Sequence, residues 1–292
     1  MLIQQLANGV FLGAVYALFA IGYTLVFGVL DILNLAHAAI FMLAAFSALS
    51  LAAAGLPLVV ACLIGVIVAG ILGVLLDRVA FAPLRRRNAG TLVPLISSIG
   101  AAIVMQGIAR GVWGPEEHHL SSGALGTAQF HLGSLTVGAL DLIVLTVALA
   151  FMLALSYVMR ATALGRSIRA VAADRVAAAL LGIDLERTIA ITFFIASALG
   201  GAAGILIGLQ YNSVSLDMGA RIELKGLAII ILGGMGSVTG AVIGAFILGA
   251  VETLTVAYVS SGYRDAIAFG VMFLILVLRP TGLLGKRALR AA

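Results

Sequence analysis

The residues able to do chemistry in this chain are few, and most lie inside or beside long apolar runs. Asp31, Asn34 and His37 interrupt one run in the order DILNLAH. An Asp or basic side chain at mid-helix in lipid costs roughly 2.5–3.5 kcal/mol. The cluster therefore reads as a polar turn or as a gate. Glu252 falls in a later apolar run, as an interface partner or an acid reaching toward headgroups. Gln106 and Arg110 stand one turn apart, and Arg110 is expected to snorkel. Asp217, Arg221, Glu223 and Lys225 are expected in a solvated, salt-bridged loop. His118 and His119 are adjacent, so they point apart on either regular element; without a third ligand at helical spacing, no metal site is expected. Ser237 follows Gly236 as a nucleophile might, yet no histidine lies on a neighbouring C-terminal run to act as its base. In Gly282-Leu283-Leu284-Gly285-Lys286 only two residues separate the glycines, and Arg287 stands where a phosphate loop needs Ser or Thr for magnesium. No catalytic set converges, so no enzymatic activity and no ATP hydrolysis by this chain are expected.

The solvent decides which elements position these groups. Of 292 residues, 63% are hydrophobic and 10% charged, against about 25% charged in soluble domains. The apolar runs approach 20 residues, the length of a spanning helix, and do not alternate as barrel strands do. The fold class is therefore all-α: one polytopic transmembrane helical bundle over residues 1–292, with about eight membrane helices. The net charge of +5 gathers in loops, where it reports orientation and contact with anionic lipid. A nucleic-acid role would require a basic groove with interleaved aromatics, which is absent. A single cysteine, Cys62, allows no disulfide within the chain. The start, MLIQQLANG, has no basic n-region or cleavage site, so the first run reads as a retained span.

Spans are expected at about Gly9–Leu30, Ala38–Ala54, Leu58–Leu76, Leu92–Val112, Leu140–Met159, Thr188–Leu209 and Asp265–Leu278. The basic Arg85-Arg86-Arg87 should face the cytoplasm, and so should the Arg-rich loop 160–186. Loop 113–138 carries Glu116, Glu117 and three histidines but no Lys or Arg, which places it outside with loop 210–225. The N-terminus is then external, and the tail with Lys286, Arg287 and Arg290 cytoplasmic. Parity requires residues 226–259 to leave and return to one side. The reading is a hairpin: a half-helix Leu227–Leu232, a turn at Gly233-Gly234-Met235-Gly236-Ser237, and a helix Ala241–Tyr258, either re-entrant or as two short spans. Glycines four apart at Gly200, Gly204 and Gly208, at Gly236, Gly240 and Gly244, and at Gly9 and Gly13 mark close helix packing.

Loop 160–186 is the most distinctive stretch. Ile168, Val171, Ala172, Val176, Ala179 and Leu180 recur at helical spacing, with Arg166, Arg169 and Arg175 largely opposite. Asp174 is placed to cap a second helical turn, and Gly182 sits where a left-handed C-terminal residue belongs. One or two short amphipathic helices are expected, lying on lipid headgroups or docking a cytoplasmic partner.

Three signatures give a resemblance. Asn34-Leu35-Ala36-His37 is similar to a motif after the first span of the H-type permeases of branched-chain amino acid ABC importers, with Ala38 in place of the usual glycine. Gly233 to Ala241 resembles that family's GGxGSxxGA run. Ala177, Ala178 and Gly182 fit the core of the importer coupling loop, although Val176 stands where many importers have Glu. The resemblance covers essentially the whole chain. It implies a permease forming half of a translocation pathway by alternating access, with leucine, isoleucine, valine or related amino acids and amides as cargo. Arg169, Ala177, Ala178 and Gly182 would couple to the ATPase. Asn34, His37, Gly233, Gly234, Gly236 and Ser237 are pathway or gate candidates. No cofactor is implied in this chain; ATP and magnesium would bind partner subunits. The implied partners are a similar, non-identical M-type permease, two ATP-binding subunits and a periplasmic substrate-binding protein, in a bacterial inner membrane. An ion-coupled secondary transporter is the alternative, and it would need buried acids at span centres.

Overall fold

A computed structural model describes residues 1–87, 89–90, 92–119, 128–132 and 135–284. The basic tail and the end of the phosphate-loop-like stretch lie outside the described residues. Every long element is helical, as lipid requires: with no water to satisfy them, backbone N–H and C=O groups must pair within the segment. The helices are α1 (Leu2–Leu30), α2 (His37–Ala53), α3 (Leu58–Leu76), α4 (Ala82–Arg86), α5 (Leu92–Trp113), α6 (Ala139–Ala161), α7 (Ala163–Ala173), α8 (Arg175–Leu180), α9 (Leu185–Tyr211), α10 (Met218–Gly233), α11 (Val238–Tyr258) and α12 (Arg264–Leu278). A π turn, Asp77–Phe81, joins α3 to α4 without a break, and β1 (Gln129–Leu132) pairs antiparallel with β2 (Leu135–Gly138). Among the described residues, seven helical segments are long and apolar enough to cross a membrane, and α2 is a shorter apolar helix. This agrees with the bundle of about eight membrane helices.

Two expectations need correction. Residues 210–225 do not form a loop: α9 continues to Tyr211 and α10 begins at Met218. The half-helix expected at Leu227–Leu232 is accordingly the end of a 16-residue helix, about 24 Å long at 1.5 Å per residue. The charges at Arg221, Glu223 and Lys225 suggested a solvated loop, yet Lys225 is buried and ion-paired. Asp77 of the π turn is fully buried and gripped by Arg85, which also reaches Glu186 at 3.5 Å. These ties bind the α3–α4 end to the start of α9.

The helices α1, α2 and α9 form the centre, while α3, α5, α6 and α12 expose Leu, Ile, Val and Phe outward as a lipid-facing surface. Small residues set the contacts. A Cβ on Gly249 of α11 would stand 2.5 Å from the Gly9 carbonyl oxygen and 2.7 Å from the Gly13 nitrogen, so α1 and α11 meet backbone to backbone. On α9, Gly200 faces the His37 ring and Gly204 the Phe41 carbonyl of α2. The glycine pattern is thus resolved into named helix pairs.

Candidate functional site

Loop 160–186 folds into two helices. Thr162 caps α7 by accepting from the Gly165 amide at 3.1 Å. Asp174 caps α8 by accepting from the Val176 and Ala177 amides at 2.8 and 3.0 Å. Gly182 takes φ +80°, and the Ile183 amide donates to the Ala178 carbonyl at 3.1 Å, closing the C-terminus. The expected apolar stripe splits in two. Ile168 and Val171 of α7 are buried against the bundle, whereas Val176, Leu180 and Leu181 are 72%, 84% and 80% exposed. Arg169, Ala177 and Gly182 are exposed too, but Ala178 is buried. Ala178 therefore seats α8 on its own chain; the surface a partner would meet is Val176, Leu180 and Leu181. Arg175, expected opposite the apolar face, donates to the Val29 carbonyl at 2.8 Å and ties the knob to the end of α1. Partial burial and nearby Arg85 lower its pKa from the usual guanidinium value, and Asp31 opposes that shift.

At the α1–α2 junction, Asp31 takes φ 56° and ends α1. The Asn34 side-chain oxygen accepts from the Ala36 amide at 3.1 Å, and the Leu35 amide donates to Ser98 Oγ at 3.2 Å. His37 enters the centre of the bundle. Its ring lies 5.0 Å from Phe19 and 5.6 Å from Tyr23, the latter edge-on, and touches Gly22 and Gly200. Neither ring nitrogen has a hydrogen bond of good geometry.

The glycine turn joins α10 to α11. Gly233 and Gly240 touch backbone to backbone, leaving no space for a side chain. Gly234 and Gly236 take φ +98° and +83°. Ser237 Oγ accepts from the Gly240 amide at 3.1 Å and so caps α11. The segment after α12 returns here: the Leu283 and Leu284 amides donate to the Leu232 and Gly233 carbonyls at 2.7 and 3.0 Å. These are the end carbonyls of α10, which no residue of that helix can satisfy.

Sequence reasoning missed a cluster that only the packing assembles. Glu252 of α11 is fully buried. Lys225 Nζ of α10 stands 2.8 Å from its carboxylate and 3.0 Å from Asp265 at the start of α12. The Arg264 guanidinium also holds Glu252, and Tyr16 of α1 donates its hydroxyl to the same carboxylate at 3.0 Å. Glu252 is therefore an interface partner and not a snorkelling acid. The signal available in the sequence was Arg221 and Lys225 at i and i+4, a like-charge pair on one helix face. The segment after α5 is also ordered by packing. Trp113 Nε1 donates to Ser50 Oγ at 2.7 Å, and His118 and His119 bond the Trp113 and Asn212 carbonyls, each at 2.8 Å. Residues 120–127 of that segment lie outside the described residues.

These features define a polytopic membrane-helix bundle with ion pairs in its interior and an ordered two-helix knob, α7–α8, standing out from it. The family model for the branched-chain amino acid transport system permease component matches residues 5–276, and the chain belongs to that family. It is 37% identical to the high-affinity branched-chain amino acid transport system permease protein LivH of Escherichia coli K12, over 97% of this chain and 96% of that protein. It is 34% identical to the permease protein BraD of Pseudomonas aeruginosa, named for the same high-affinity system, over 97% and 96%. A partial likeness, 34% over 44% of this chain and 40% of the other, extends to the autoinducer 2 import system permease protein LsrC of Klebsiella pneumoniae. No solved structure matches.

Proposed function

We propose that this chain is a membrane permease subunit of an ATP-driven importer of branched-chain amino acids, forming half of the translocation pathway. The near-full-length likeness to permeases named for that cargo supports the choice of substrate. The observation that carries the coupling is the exposed apolar tip Val176, Leu180 and Leu181, on a doubly capped knob whose other face is buried in the bundle. A helix lying on headgroups would turn its apolar face to lipid; here Ile168 and Val171 of α7 and Ala178 of α8 face protein, and only the tip Val176, Leu180 and Leu181 faces away. In this reading two separate subunits bind ATP and magnesium, and one receives the knob. A second, similar permease completes the pathway, and a periplasmic binding protein delivers cargo to the opposite face. The N-terminus is external and the C-terminus cytoplasmic, in a bacterial inner membrane.

The alternative, an ion-coupled secondary transporter, needs a buried acid free to bind and release its ion. The buried acids Asp77 and Glu252 are instead neutralised by Arg85 and by Lys225 with Arg264. The test is mild-detergent recovery of the tagged chain from its native membrane, with Leu180→Cys cross-linking. Recovery of an ATP-binding subunit joined through position 180 supports the reading. The chain recovered alone, still moving leucine under an ion gradient without ATP, would sink it.

A further inference from the structure

A cavity of about 190 Å³ opens between α1, α9, α10 and the start of α12. Its walls divide by chemistry. Phe41, Ile207, Met218 and Ile222 supply apolar surface, and Arg221, Lys225 and Arg264 supply three cations. Glu117 is the single carboxylate in the lining among the described residues, and it accepts from Ser213 at 3.4 Å. Behind the wall, the buried carboxylate of Glu252 serves two cations at once, and Asp265, which also takes Lys225, is 64% exposed. Arg221 lies one turn before Lys225 and has no carboxylate within ion-pair distance among the described residues. Lys225 and Arg264 are thus matched by Glu252 and Asp265. Like charges at i and i+4 repel, so Arg221, whose side chain lines the cavity, is the wall's cation left without an ion-pair partner among the described residues, beside an aliphatic surface.

We propose that this recess is a transit station for the cargo, holding the carboxylate of a small aliphatic amino acid at Arg221, Lys225 and Arg264. The side chain lies along Met218, Ile222 and Ile207, and the ammonium faces Glu117. The inference rests on the transport reading and adds to it a place where cargo meets this chain.

The test uses Ser215→Cys, on the cavity wall, in a Cys62→Ala background, within the lipid-reconstituted importer complex and without ATP. Modification by an anionic methanethiosulfonate is expected to outpace that by a cationic one roughly tenfold, because a cleft lined by one sign of charge concentrates its counter-ion. L-Leucine should slow the anionic reagent, and leucinamide, which lacks the carboxylate, should not. Arg221→Gln should abolish both the preference and the protection, and Arg221→Lys should restore them. Equal reagent rates, or protection by leucinamide equal to that by leucine, overturn the proposal. The readout needs no turnover. Absence of ATP-driven leucine uptake by the unsubstituted complex would overturn the transport reading separately.

Discussion

At the scale of single residues, Glu252 has the strongest consequence. Removing one partner of a buried ion pair leaves an uncompensated charge, typically at 3–5 kcal/mol. Glu252→Gln leaves Lys225 and Arg264 facing each other across a neutral amide, so a loss of about that size is expected in detergent unfolding. Lys225→Met should be milder, since Arg264 and Tyr16 still serve the carboxylate. Equal melting temperatures for Glu252→Gln and the parent chain would mean that the cluster is loose in solution. The glycine turn separates two physical causes. Gly236 takes φ +83° but has open space around it. Its replacement by Leu should cost only the left-handed penalty of about 1–2 kcal/mol, with Asn tolerated better. Gly240, pressed against Gly233, admits no side chain, and Gly240→Leu should prevent assembly of α10 on α11. Comparing the yield of folded protein for the two variants tests this ranking, and a stable Gly240→Leu chain overturns the packing account.

Single elements differ in what they expose. The knob works as a unit because α7 is anchored and α8 is presented. Leu180→Asp and Leu181→Asp alter exposed side chains, so folding should be unaffected while uptake is lost and ATP hydrolysis is uncoupled from transport. Ala178→Trp should instead unseat the knob and lower thermal stability, because Ala178 is buried. Asp174→Ala removes the cap of a six-residue helix, at about 1 kcal/mol. Paired measurements of uptake and melting temperature separate the docking residues from the seating residue. Wild-type uptake by Leu180→Asp would remove α8 from any coupling interface.

The whole molecule is organised by glycine contacts on α1 and α9. Because Gly249 of α11 touches Gly9 and Gly13 of α1, Gly249→Leu should separate the first helix from the eleventh and cause loss of the folded bundle. The same substitution at Gly100, which has open space around it, should be harmless. Comparing the two by size-exclusion profile decides whether the ladder holds the bundle. Orientation can be tested with single cysteines in a Cys62→Ala chain. A membrane-impermeant thiol reagent applied from outside should label Glu117→Cys and spare Arg86→Cys. The reverse labelling would invert the topology.

Much of this molecule was legible before folding, because lipid imposes rules that a sequence obeys residue by residue. Apolar runs near 20 residues fixed the bundle class, the capping chemistry of Asp174 and Gly182 fixed the ends of α8, and the Gly233–Ala241 run marked a tight turn. These are local properties, decided by neighbours within one or two turns. The misreadings share one cause. Lys225 looked like a loop charge because hydropathy cannot see the partner that neutralises a charge, and Glu252 lies on a different helix from Lys225. The division of the amphipathic stripe between buried Val171 and exposed Leu180 was also invisible, because a change of helix direction at Asp174 resets the face that periodicity assumes to be continuous. Sequence alone marked the apolar runs long enough to span a membrane and the glycine turn between Gly233 and Ser237. Tertiary structure alone decided which charges are buried, which glycines meet, and that three cations line one recess, since those depend on contacts between residues up to 248 positions apart.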